Sequence, residues 1–388
     1  MNERLIKLNQ IGGKTKASRR DLSELMGNKK IKVLIIAPTL DTILGGQAVQ
    51  ASRLLQKLSE EPDFIVDIQS IAPKFLPSLQ SVKYLRTIIT SIKYWLDILF
   101  KIPRYDIIHI FSAAHLSFLL APTPAVLVAK LFGKKTILNY RSGQIEEHYA
   151  NWSQTLRPTL RLFDRIVAPS GYLVDIFEKF GFKARAIHNF LNIDRFHYRE
   201  RKPLRPVFLS NRLLEELYNI PCILRAFAII QKKYVDARLI VASFGDQREH
   251  LEMLARELNL KNVEFIGRVE QEKIPELYDS VDIYLNSPNT DNMPGSIIEC
   301  YASGVPVVTT NAGGIPYILE HEKTGLMVEI NDHEAMAQAA MRLLEDEELA
   351  ARLVKNARQY CQAFTWKKSG KEWLKLYKEL FSENVDTH

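Results

Sequence analysis

Long apolar runs and cysteine are both scarce in this chain of 388 residues. A transmembrane helix needs roughly 18 or more consecutive apolar residues, and the sequence has no such run. The N-terminus carries charges and lacks the apolar core of a signal peptide. The three cysteines, Cys222, Cys300 and Cys361, are widely spaced, and their odd number argues for a reducing compartment and against a disulfide framework. We therefore expect a cytoplasmic protein without a spanning segment.

Motifs for metals and for a common cofactor are also missing. No cluster of histidine and carboxylate residues has the spacing of a metal site, and the lack of G-x-G-x-x-G counts against a nicotinamide enzyme. We therefore expect neither a metal nor a cofactor. The composition is ordinary for a globular protein, with 46% apolar and 25% charged residues. The formal net charge of +7 permits an anionic partner without identifying it.

An alternation of apolar strand patterns and helical patterns begins at Lys30. Residues 1–28 are basic and have no sustained pattern, so we predict a tail there. Patterns of buried strands follow at residues 33–37, 65–70, 107–111, 136–140 and 165–169, with helical patterns between them, including an amphipathic one at 47–58. This βαβ repetition predicts a parallel sheet with helices on both faces, in a first domain of residues 29–200.

The same alternation starts again at Pro206. Strand patterns lie at residues 207–210, 238–242, 263–266 and 281–285, and helical patterns lie at 222–233, 248–258, 336–345 and 367–381. The charged segment at residues 199–206 is the expected linker. We predict a second doubly wound domain at residues 201–365 and a final helical segment at residues 366–388.

The stretch of residues 286–314 is the most informative part of the sequence. It predicts a loop, then a helix and then a short buried strand. Asp291 precedes the helix and Glu299 lies within it, while free backbone amides near Gly295 and Ser296 lie at the positive end of the helix dipole. Amides suit a phosphate and carboxylates suit hydroxyl groups. The stretch therefore suits a ligand with a phosphate and several hydroxyls.

This stretch resembles the acid-x7-acid region of the retaining GT-B glycosyltransferases, in particular glycosyltransferase family 4. The acids have the family's spacing, and its A-x-G-V-P-V-V pattern follows at residues 302–308, before a flexible turn predicted at Gly313-Gly314. The resemblance covers about residues 30–382. It implies an α/β GT-B fold, in which two doubly wound Rossmann-like domains face a cleft and the last helix crosses back to the first. It also implies that Glu299 holds the donor ribose and Asp291 the transferred sugar.

The resemblance adds further residues on the donor side. Arg212 ends the first strand of the second domain and matches the family's phosphate arginine, which makes it the third expected catalytic residue beside the two acids. Asn292 and Met293 join the donor-binding amides. Gly45-Gly46 separates the first strand from its helix, where backbone can approach the donor phosphates, and an ordinary strand-to-helix turn is the alternative.

The sequence departs from the family in the turn after Arg212. The family usually has a lysine five residues later, in an E-K-G turn, where this chain has Leu217 followed by Tyr218. One positive charge is thereby missing beside the leaving group. Arg268 is a candidate to replace that charge, and a surface ion pair is the alternative role for it.

Three residues are expected on the acceptor side of the cleft. His109 ends a strand in a D-x-x-H segment like that of the family, and a hydrogen-bonded structural histidine is the alternative. Arg141 lies where many members have a histidine, and an arginine cannot act as a base near neutral pH. Ser142 follows it. Ser170, which comes after the fifth strand pattern, is expected to cap a helix rather than to react.

A basic and aromatic helical segment at residues 84–101 is a candidate membrane contact. Its members are Tyr84, Arg86, Lys93, Tyr94, Trp95, Phe100 and Lys101. An amphipathic helix of this type can rest on an anionic bilayer, and we expect such binding to be peripheral, salt-sensitive and at the inner face of the cell membrane. A helix packed in the core with one solvated face is the alternative.

Together, the residues and the resemblance predict a metal-independent retaining hexosyltransferase. It would move a sugar from a UDP- or GDP-linked donor to a glycan or lipid-linked acceptor in cell-envelope polysaccharide or glycolipid biosynthesis, with no contact to nucleic acid. Two other classes stay open. One is a GT-B protein with reduced catalysis that binds a glycan or a partner. The other is a sugar-nucleotide 2-epimerase, although the acid-x7-acid motif favours transfer.

Overall fold

Two parallel sheets organise the protein. The structure is a computed structural model that describes residues 29–42, 45–73, 83–112 and 114–385, and within these ranges the strands form two six-stranded sheets. All paired strands run parallel. The tail predicted at residues 1–28 lies outside the described residues. The predicted α/β class with two doubly wound sheets is confirmed.

The first sheet has the strand order β2-β1-β3-β4-β5-β6. Its strands are β1 (Ile31–Ala37), β2 (Phe64–Ser70), β3 (Ile107–Ser112), β4 (Lys135–Tyr140), β5 (Arg165–Ala168) and β6 (Ala184–Ala186). The helices are α1 (Gly46–Ser59), α2 (Lys83–Lys101), α3 (Leu116–Leu120), α4 (Pro122–Leu131), α5 (Ile145–Leu162) and α6 (Gly171–Lys179). Helices cover both faces of β1 and β3, which explains why the sequences of these strands are almost continuously apolar.

The second sheet has the strand order β12-β11-β10-β7-β8-β9. Its strands are β7 (Val207–Ser210), β8 (Arg238–Val241), β9 (Val263–Phe265), β10 (Ile283–Asn286), β11 (Val307–Thr310) and β12 (Leu326–Val328). The helices are α7 (Ile220–Lys233), α8 (Arg248–Glu257), α9 (Ile274–Ser280), α10 (Gly295–Ser303), α11 (His333–Glu345) and α12 (Glu347–Tyr360). A last helix, α13 (Trp366–Val385), follows them.

The strands predicted from the sequence are present, with ends that differ by one or two residues. β6 and β12 were not predicted, because strands of three residues are too short to reveal a period. α12 was also not predicted, although its buried Leu349, Leu353 and Ala357 have helical spacing. Within the described part of the chain, no helix combines the length and the apolarity needed to span a bilayer.

The last helix packs on the first sheet although it follows the second domain in sequence. Trp373, Tyr377 and Leu380 of α13 are buried in one cluster with Val33 of β1 and Ile107 of β3. Burial of these side chains fixes the helix on the first domain. The chain therefore passes between the two domains twice.

The first of these passages lies between Phe190 and Leu191. Phe190 packs with residues of the first sheet, and Leu191 packs with residues of the second. This change of core comes ahead of the domain boundary predicted at residue 200. The predicted linker at residues 199–206 is also anchored to the second domain, because Arg201 is buried there and donates to the carbonyl oxygen of Tyr278 at 2.7 Å.

Candidate functional site

Loops at the carboxyl ends of both sheets face each other. Arg141 follows β4 and Ser170 follows β5 in the first domain, whereas Arg212 follows β7 and Asp291 follows β10 in the second. Open parallel sheets bind ligands at this edge, because the loops and helix N-termini converge there. The structure therefore brings residues predicted for the donor side and for the acceptor side into one region between the domains.

Gly313 and Gly314 pack directly against the backbone of the loop before α10. The N–H of Gly314 donates to the carbonyl oxygen of Asp291 at 2.8 Å. A Cβ atom at Gly313 would collide with that carbonyl oxygen, and one at Gly314 would collide with the carbonyl oxygen of Asn292. Gly313 also has a φ of 53°, in the left-handed region. The prediction of a flexible turn at these glycines is corrected. Both glycines pack so closely against the loop that a side chain at either position would collide with it.

Arg212 and Asp291 form a short ion pair at the start of α10. The distance from Arg212 Nη2 to Asp291 Oδ2 is 2.5 Å, and both side chains are largely buried. Arg212 Nη1 also lies 3.4 Å from Ser296 Oγ. Burial by itself would lower the pKa of Arg212, but the Asp291 carboxylate raises it above its ordinary value, so the guanidinium stays charged. The residue predicted to hold the diphosphate thus contacts the residue predicted to hold the sugar.

Tyr218 occupies the space beside Arg212 in the turn that lacks the family's lysine. The guanidinium carbon of Arg212 lies 4.3 Å from the centre of the Tyr218 ring, a cation–π contact. Tyr218 therefore holds the arginine in place but adds no charge. Arg268 is half exposed and lies 3.9 Å from Glu270, which matches the surface ion pair considered as its alternative role.

Glu299 is the centre of a polar group on the buried side of α10. Its Oε2 accepts a hydrogen bond from the Tyr278 hydroxyl at 3.0 Å. Asn211 donates to the same hydroxyl at 2.9 Å and accepts from Tyr284 at 2.8 Å. Arg53 of α1, in the first domain, lies 3.9 Å from Glu299 Oε1. The amphipathic pattern of α1 gave no sign that Arg53 would reach the second domain.

Asn292 and Met293 contact the first domain directly. The Ser170 hydroxyl donates to Asn292 Oδ1. Asn189 donates its backbone N–H to Met293 Sδ and its side-chain amide to Met293 O, both at 3.2 Å. Ser170 is the N-cap residue of α6 by position, as predicted, but its side chain makes no hydrogen bond to that helix. Among the described residues, the buried Asn292 Nδ2 has no hydrogen-bond partner.

A second contact between the domains lies beside Ser170. Tyr317 of the second domain packs on Gly171, where a Cβ atom would lie 2.7 Å from Tyr317 Cδ1. The Tyr317 hydroxyl donates to the Asp175 carboxylate on α6. On the other side of the site, a Cβ atom at Gly143 would lie 3.1 Å from Thr290 Oγ1. The domains are therefore in close contact around the loop before α10.

His109 does not reach the region between the domains. It is fully buried, with its Nδ1 2.6 Å from the Tyr377 hydroxyl and its Nε2 3.2 Å from Asn139 Nδ2. Burial, with a smaller contribution from the Arg141 charge, lowers the pKa of His109 to about 3. The predicted acceptor contact is therefore corrected. Both ring nitrogens are occupied, and the neutral imidazole joins the first sheet to α13.

Arg141 and Ser142, the other two residues predicted for the acceptor side, contact neighbouring residues of the first domain. Arg141 donates to Asn139 Oδ1 at 3.4 Å and to Asn189 Oδ1, and burial lowers its pKa to about 10. Because Asn189 also contacts Met293, Arg141 is linked to the donor-side loop. Ser142 Oγ accepts the N–H of Gln144 at 3.2 Å, just before α5, which is a local turn contact.

Gly45-Gly46 lies at the start of α1. A Cβ atom at either glycine would meet no atom within 4 Å among the described residues. The backbone there is therefore open to approach. In the same described part of the chain, no group of three histidine, cysteine or acidic residues is placed to hold a metal ion.

The N-terminus of α10 offers groups for an anion. Pro294 precedes Gly295 without a side-chain cap, and the first turn contains no acid. The first amides of this helix, which include those of Gly295 and Ser296, have no partner within the helix. Arg212 lies beside them and keeps a buried Nε without a described partner. A phosphate group bound here would meet a guanidinium and the positive end of a helix dipole.

Comparisons with known proteins identify two matching family models and several relatives. The profile of the Glycosyl transferases group 1 family matches residues 193–360, and that of Glycosyltransferase Family 4 matches residues 19–195. One relative is the Campylobacter jejuni GalNAc-alpha-(1->4)-GalNAc-alpha-(1->3)-diNAcBac-PP-undecaprenol alpha-1,4-N-acetyl-D-galactosaminyltransferase. The two sequences are 30% identical over 159 residues, a region that covers 40% of this chain and 44% of the relative. The chain spans less than half the length of the first curated relatives that it matches.

Solved structures match nearly the whole chain. Sucrose-phosphate synthase from Thermosynechococcus elongatus has a TM-score of 0.73 at 21% identity, over 91% of this chain and 100% of that one. Anabaena HepE in complex with UDP has a TM-score of 0.70 at 16% identity, over 90% of this chain and 100% of that one. At such identities the likeness concerns the fold alone, and the predicted GT-B fold is confirmed.

Proposed function

Since the chain belongs to glycosyltransferase family 4, a family of enzymes, we propose that it transfers a sugar from a nucleoside diphosphate sugar to a glycan or lipid-linked acceptor. The observation that carries this proposal is the ion pair of Arg212 and Asp291 at the N-terminus of α10, with Glu299 within the same helix. The guanidinium and the amides suit a diphosphate, and the carboxylates suit the hydroxyl groups of a ribose and a sugar.

The Arg212–Asp291 ion pair gives the proposed site a defined starting state. An incoming diphosphate would compete with Asp291 for the guanidinium, because both are oxyanions that accept from Arg212. Asp291 would then be released to accept from hydroxyl groups of the transferred sugar. Glu299 would accept from the ribose, with Tyr278 holding its carboxylate in position.

We propose a donor linked to UDP or GDP. The structures of Anabaena HepE were determined with UDP and with UDP-glucose, and their fold is shared with this chain. In this chain, Glu299, its partner Tyr278 and the neighbouring Arg53 surround the position proposed for the ribose. Isothermal titration calorimetry with UDP and with GDP would distinguish the two donors.

The proposed reaction retains the configuration of the sugar. The acceptor hydroxyl attacks the anomeric carbon on the face from which the diphosphate leaves, and its proton passes to the departing phosphate oxygen. Arg212 and the amides of Gly295 and Ser296 stabilise the leaving group, whose charge grows as the bond to the sugar breaks. This route needs no protein nucleophile, and it needs no base at Arg141, which stays cationic near neutral pH.

We further propose that the acceptor belongs to cell-envelope polysaccharide or glycolipid biosynthesis. The name of the Campylobacter jejuni relative specifies an undecaprenol-linked acceptor for that protein. A lipid-linked acceptor would require this chain to work at the inner face of the cell membrane, as a cytoplasmic protein with peripheral membrane contact. No nucleic acid and no metal enter the proposal.

Mass spectrometry of products after incubation with a panel of sugar nucleotides and lipid extracts tests the function. The expected result is an acceptor made heavier by one sugar, with release of the nucleoside diphosphate. Retention is then checked by NMR of the new anomeric centre. If the only product is an isomer of the donor sugar nucleotide, the protein is an epimerase rather than a transferase.

A binding protein with reduced catalysis is the second candidate function. Leu217 in place of the usual lysine favours it, because Tyr218 adds no cation beside the leaving group. A donor-hydrolysis assay separates the two candidates. Tight binding of a sugar nucleotide without transfer or hydrolysis would identify a binding protein.

A further inference from the structure

The outer side of α2 and α4 carries a concentration of apolar side chains that no part of the described structure covers. The members of this outer apolar face are Ile88, Ile92, Trp95, Leu96, Leu99 and Phe100 of α2, together with Leu127, Leu131 and Phe132 at α4. Phe100 is 67% exposed and Leu131 is 75% exposed. A soluble domain rarely leaves such a contiguous patch in water unless the patch meets a partner or a membrane.

The two helices form one continuous surface. The Tyr94 hydroxyl of α2 donates to Ala121 O at 3.0 Å, just before α4. The indole N–H of Trp95 donates to Leu120 O at 3.1 Å, which leaves the ring at the surface with its polar atom satisfied. Tyr94 and Ile98 anchor α2 in the core of the first domain. The outer apolar face is therefore held in place by buried contacts on its inner side.

The spacing along α2 confirms that the exposed side chains share one side of the helix. Residues 88, 92, 95, 96, 99 and 100 follow the three- and four-residue steps of a helix face. α2 is packed in the core through Tyr94 and Ile98 and has one solvated face, as in the alternative given above, and the side chains on that face are largely apolar. The side chains of Tyr84 and Arg86, also assigned to this segment, lie outside the described residues.

Charges at the edge of the outer apolar face are mainly positive. Of the basic residues in α2, Lys93 and Lys101 have described side chains, and Lys93 pairs with Asp97, the one acid of this helix, at 3.1 Å. Lys101 and Arg104 lie at the end of α2, and Lys134 follows α4. An exposed apolar surface bordered by cations matches the two requirements of binding to an anionic bilayer, which are apolar insertion and attraction to lipid phosphates.

We infer that the outer apolar face of α2 and α4 docks the protein on an anionic lipid bilayer. Charge favours this occupant over a second copy of the chain, since two such faces would bring their cationic borders together. The surface belongs to the domain expected to take the acceptor, so docking would present that domain to lipid-linked acceptors. The inference deepens the proposed function, and the purpose of docking rests on that function. Vesicle binding itself is measured without donor or acceptor, so its test does not depend on sugar transfer.

Vesicle flotation with the full chain tests the inference. The vesicles contain either phosphatidylcholine alone or phosphatidylcholine with phosphatidylglycerol, at low and at high salt. We expect the wild type to float with the anionic vesicles at low salt and to bind less at high salt, because the cationic contribution is screened. The variant Leu96→Gln/Phe100→Gln should lower the partition coefficient by about tenfold or more, since two inserting side chains become polar.

The matched control is Val235→Gln/Met253→Gln, which changes two exposed apolar residues of the second domain. This control should float like the wild type. All four positions are exposed, so thermal unfolding should be unchanged and loss of binding cannot come from misfolding. The variant Lys101→Gln/Arg104→Gln should weaken binding to anionic vesicles at low salt and reduce the dependence on salt.

Three outcomes would overturn the inference. The wild type could fail to bind anionic vesicles at low salt, or the Leu96→Gln/Phe100→Gln variant could bind as the wild type does. A dimer of the wild type in light scattering that this variant converts to a monomer would assign the face to a second copy. Calorimetry of UDP and GDP with the same variant distinguishes the docking proposal from the proposed sugar transfer. If vesicle binding is lost while nucleotide affinity is unchanged, the substitutions affect docking alone.

Discussion

At the scale of single residues, Arg212 and Asp291 are coupled because they form an ion pair with each other. Their ion pair of 2.5 Å lies largely out of water, where the attraction between opposite charges is stronger than at an exposed surface. Tyr218 supports the guanidinium and Ser296 approaches it. A single residue change here therefore alters the partner as well as the ligand contact, and variants at the site must be chosen with that coupling in mind.

Glu299→Gln should weaken donor binding while the fold is kept. The amide oxygen can still accept from Tyr278, but ribose hydroxyls lose charge-assisted hydrogen bonds worth roughly 1.5–3 kcal/mol each. Calorimetry with UDP and GDP should show that the affinity for the nucleotide that binds falls by about tenfold or more. Glu272→Gln, at an exposed acid, is the control. Equal affinity in wild type and Glu299→Gln would remove the ribose assignment.

Arg212→Ala should lower turnover more than affinity for the free nucleoside. The reason is that the charge on the departing diphosphate grows toward the transition state, where the guanidinium is needed most. The rate of sugar transfer and the affinity for uridine or guanosine are the two measurements. Arg212→Ala also leaves the Asp291 carboxylate without its ion-pair partner. Arg212→Lys keeps a positive charge opposite Asp291, so it shows how much of the loss comes from that unpaired acid. Transfer by Arg212→Ala at the wild-type rate would show that Arg212 does not hold the diphosphate.

At the scale of elements, α13 and β3 are joined through His109. The imidazole is closed in by the Tyr377 hydroxyl on one side and by Asn139 on the other, and the Trp373 ring lies 4.8 Å from it between ring centres. The helix that crosses back is thus attached by a polar contact inside an apolar cluster. Such a contact contributes most when both partners stay neutral and hydrogen-bonded.

His109 should make the folded state less stable as the pH falls. Its pKa is about 3 in the folded protein and about 6.5 in an unfolded chain, so between these values only the unfolded state takes up the proton. The free energy of unfolding then falls by up to about 1.4 kcal/mol per pH unit below pH 6.5, and His109 has no such effect above it. Urea unfolding of His109→Gln at pH 7.5 and pH 5 should show a smaller loss than the wild type. Equal losses would contradict the prediction.

At the scale of the molecule, the two domains contact each other through the loop before α10 and the residues next to it. Ser170 and Asn189 of the first domain hold Asn292 and Met293, and Tyr317 packs on Gly171. α13 adds the second covalent passage between the domains. The position of the donor loop therefore depends on contacts from the first domain, so a change far from the reacting groups can alter the site.

Gly171→Ala should loosen this contact. The new Cβ would lie 2.7 Å from the Tyr317 ring, which must move and give up its hydrogen bond to Asp175. We expect a loss of about 1–3 kcal/mol in the free energy of unfolding, as for other overpacked sites. Adding Tyr317→Ala removes the collision, so the double variant should lose less than the sum of the two single variants. Simple additivity would show that the domains do not meet here.

The sequence alone determined the class of the fold and the element that carries the site. Strands buried on both faces must be apolar along their length, so β1, β3 and β10 could be located without a structure. Local rules also identified the helix that begins after Pro294, because proline, free amides and the spacing from Asp291 to Glu299 all lie within one short segment.

Only the tertiary structure decided which of these groups meet. Arg212 and Asp291 are 79 positions apart in sequence, and His109 and Tyr377 are 268 apart, so neither pairing leaves a local pattern. The same limit applies to α2, whose apolar positions predict a face without saying whether another element covers it. A periodic pattern records what each residue prefers to contact, whereas packing of the whole chain selects the partner that it obtains.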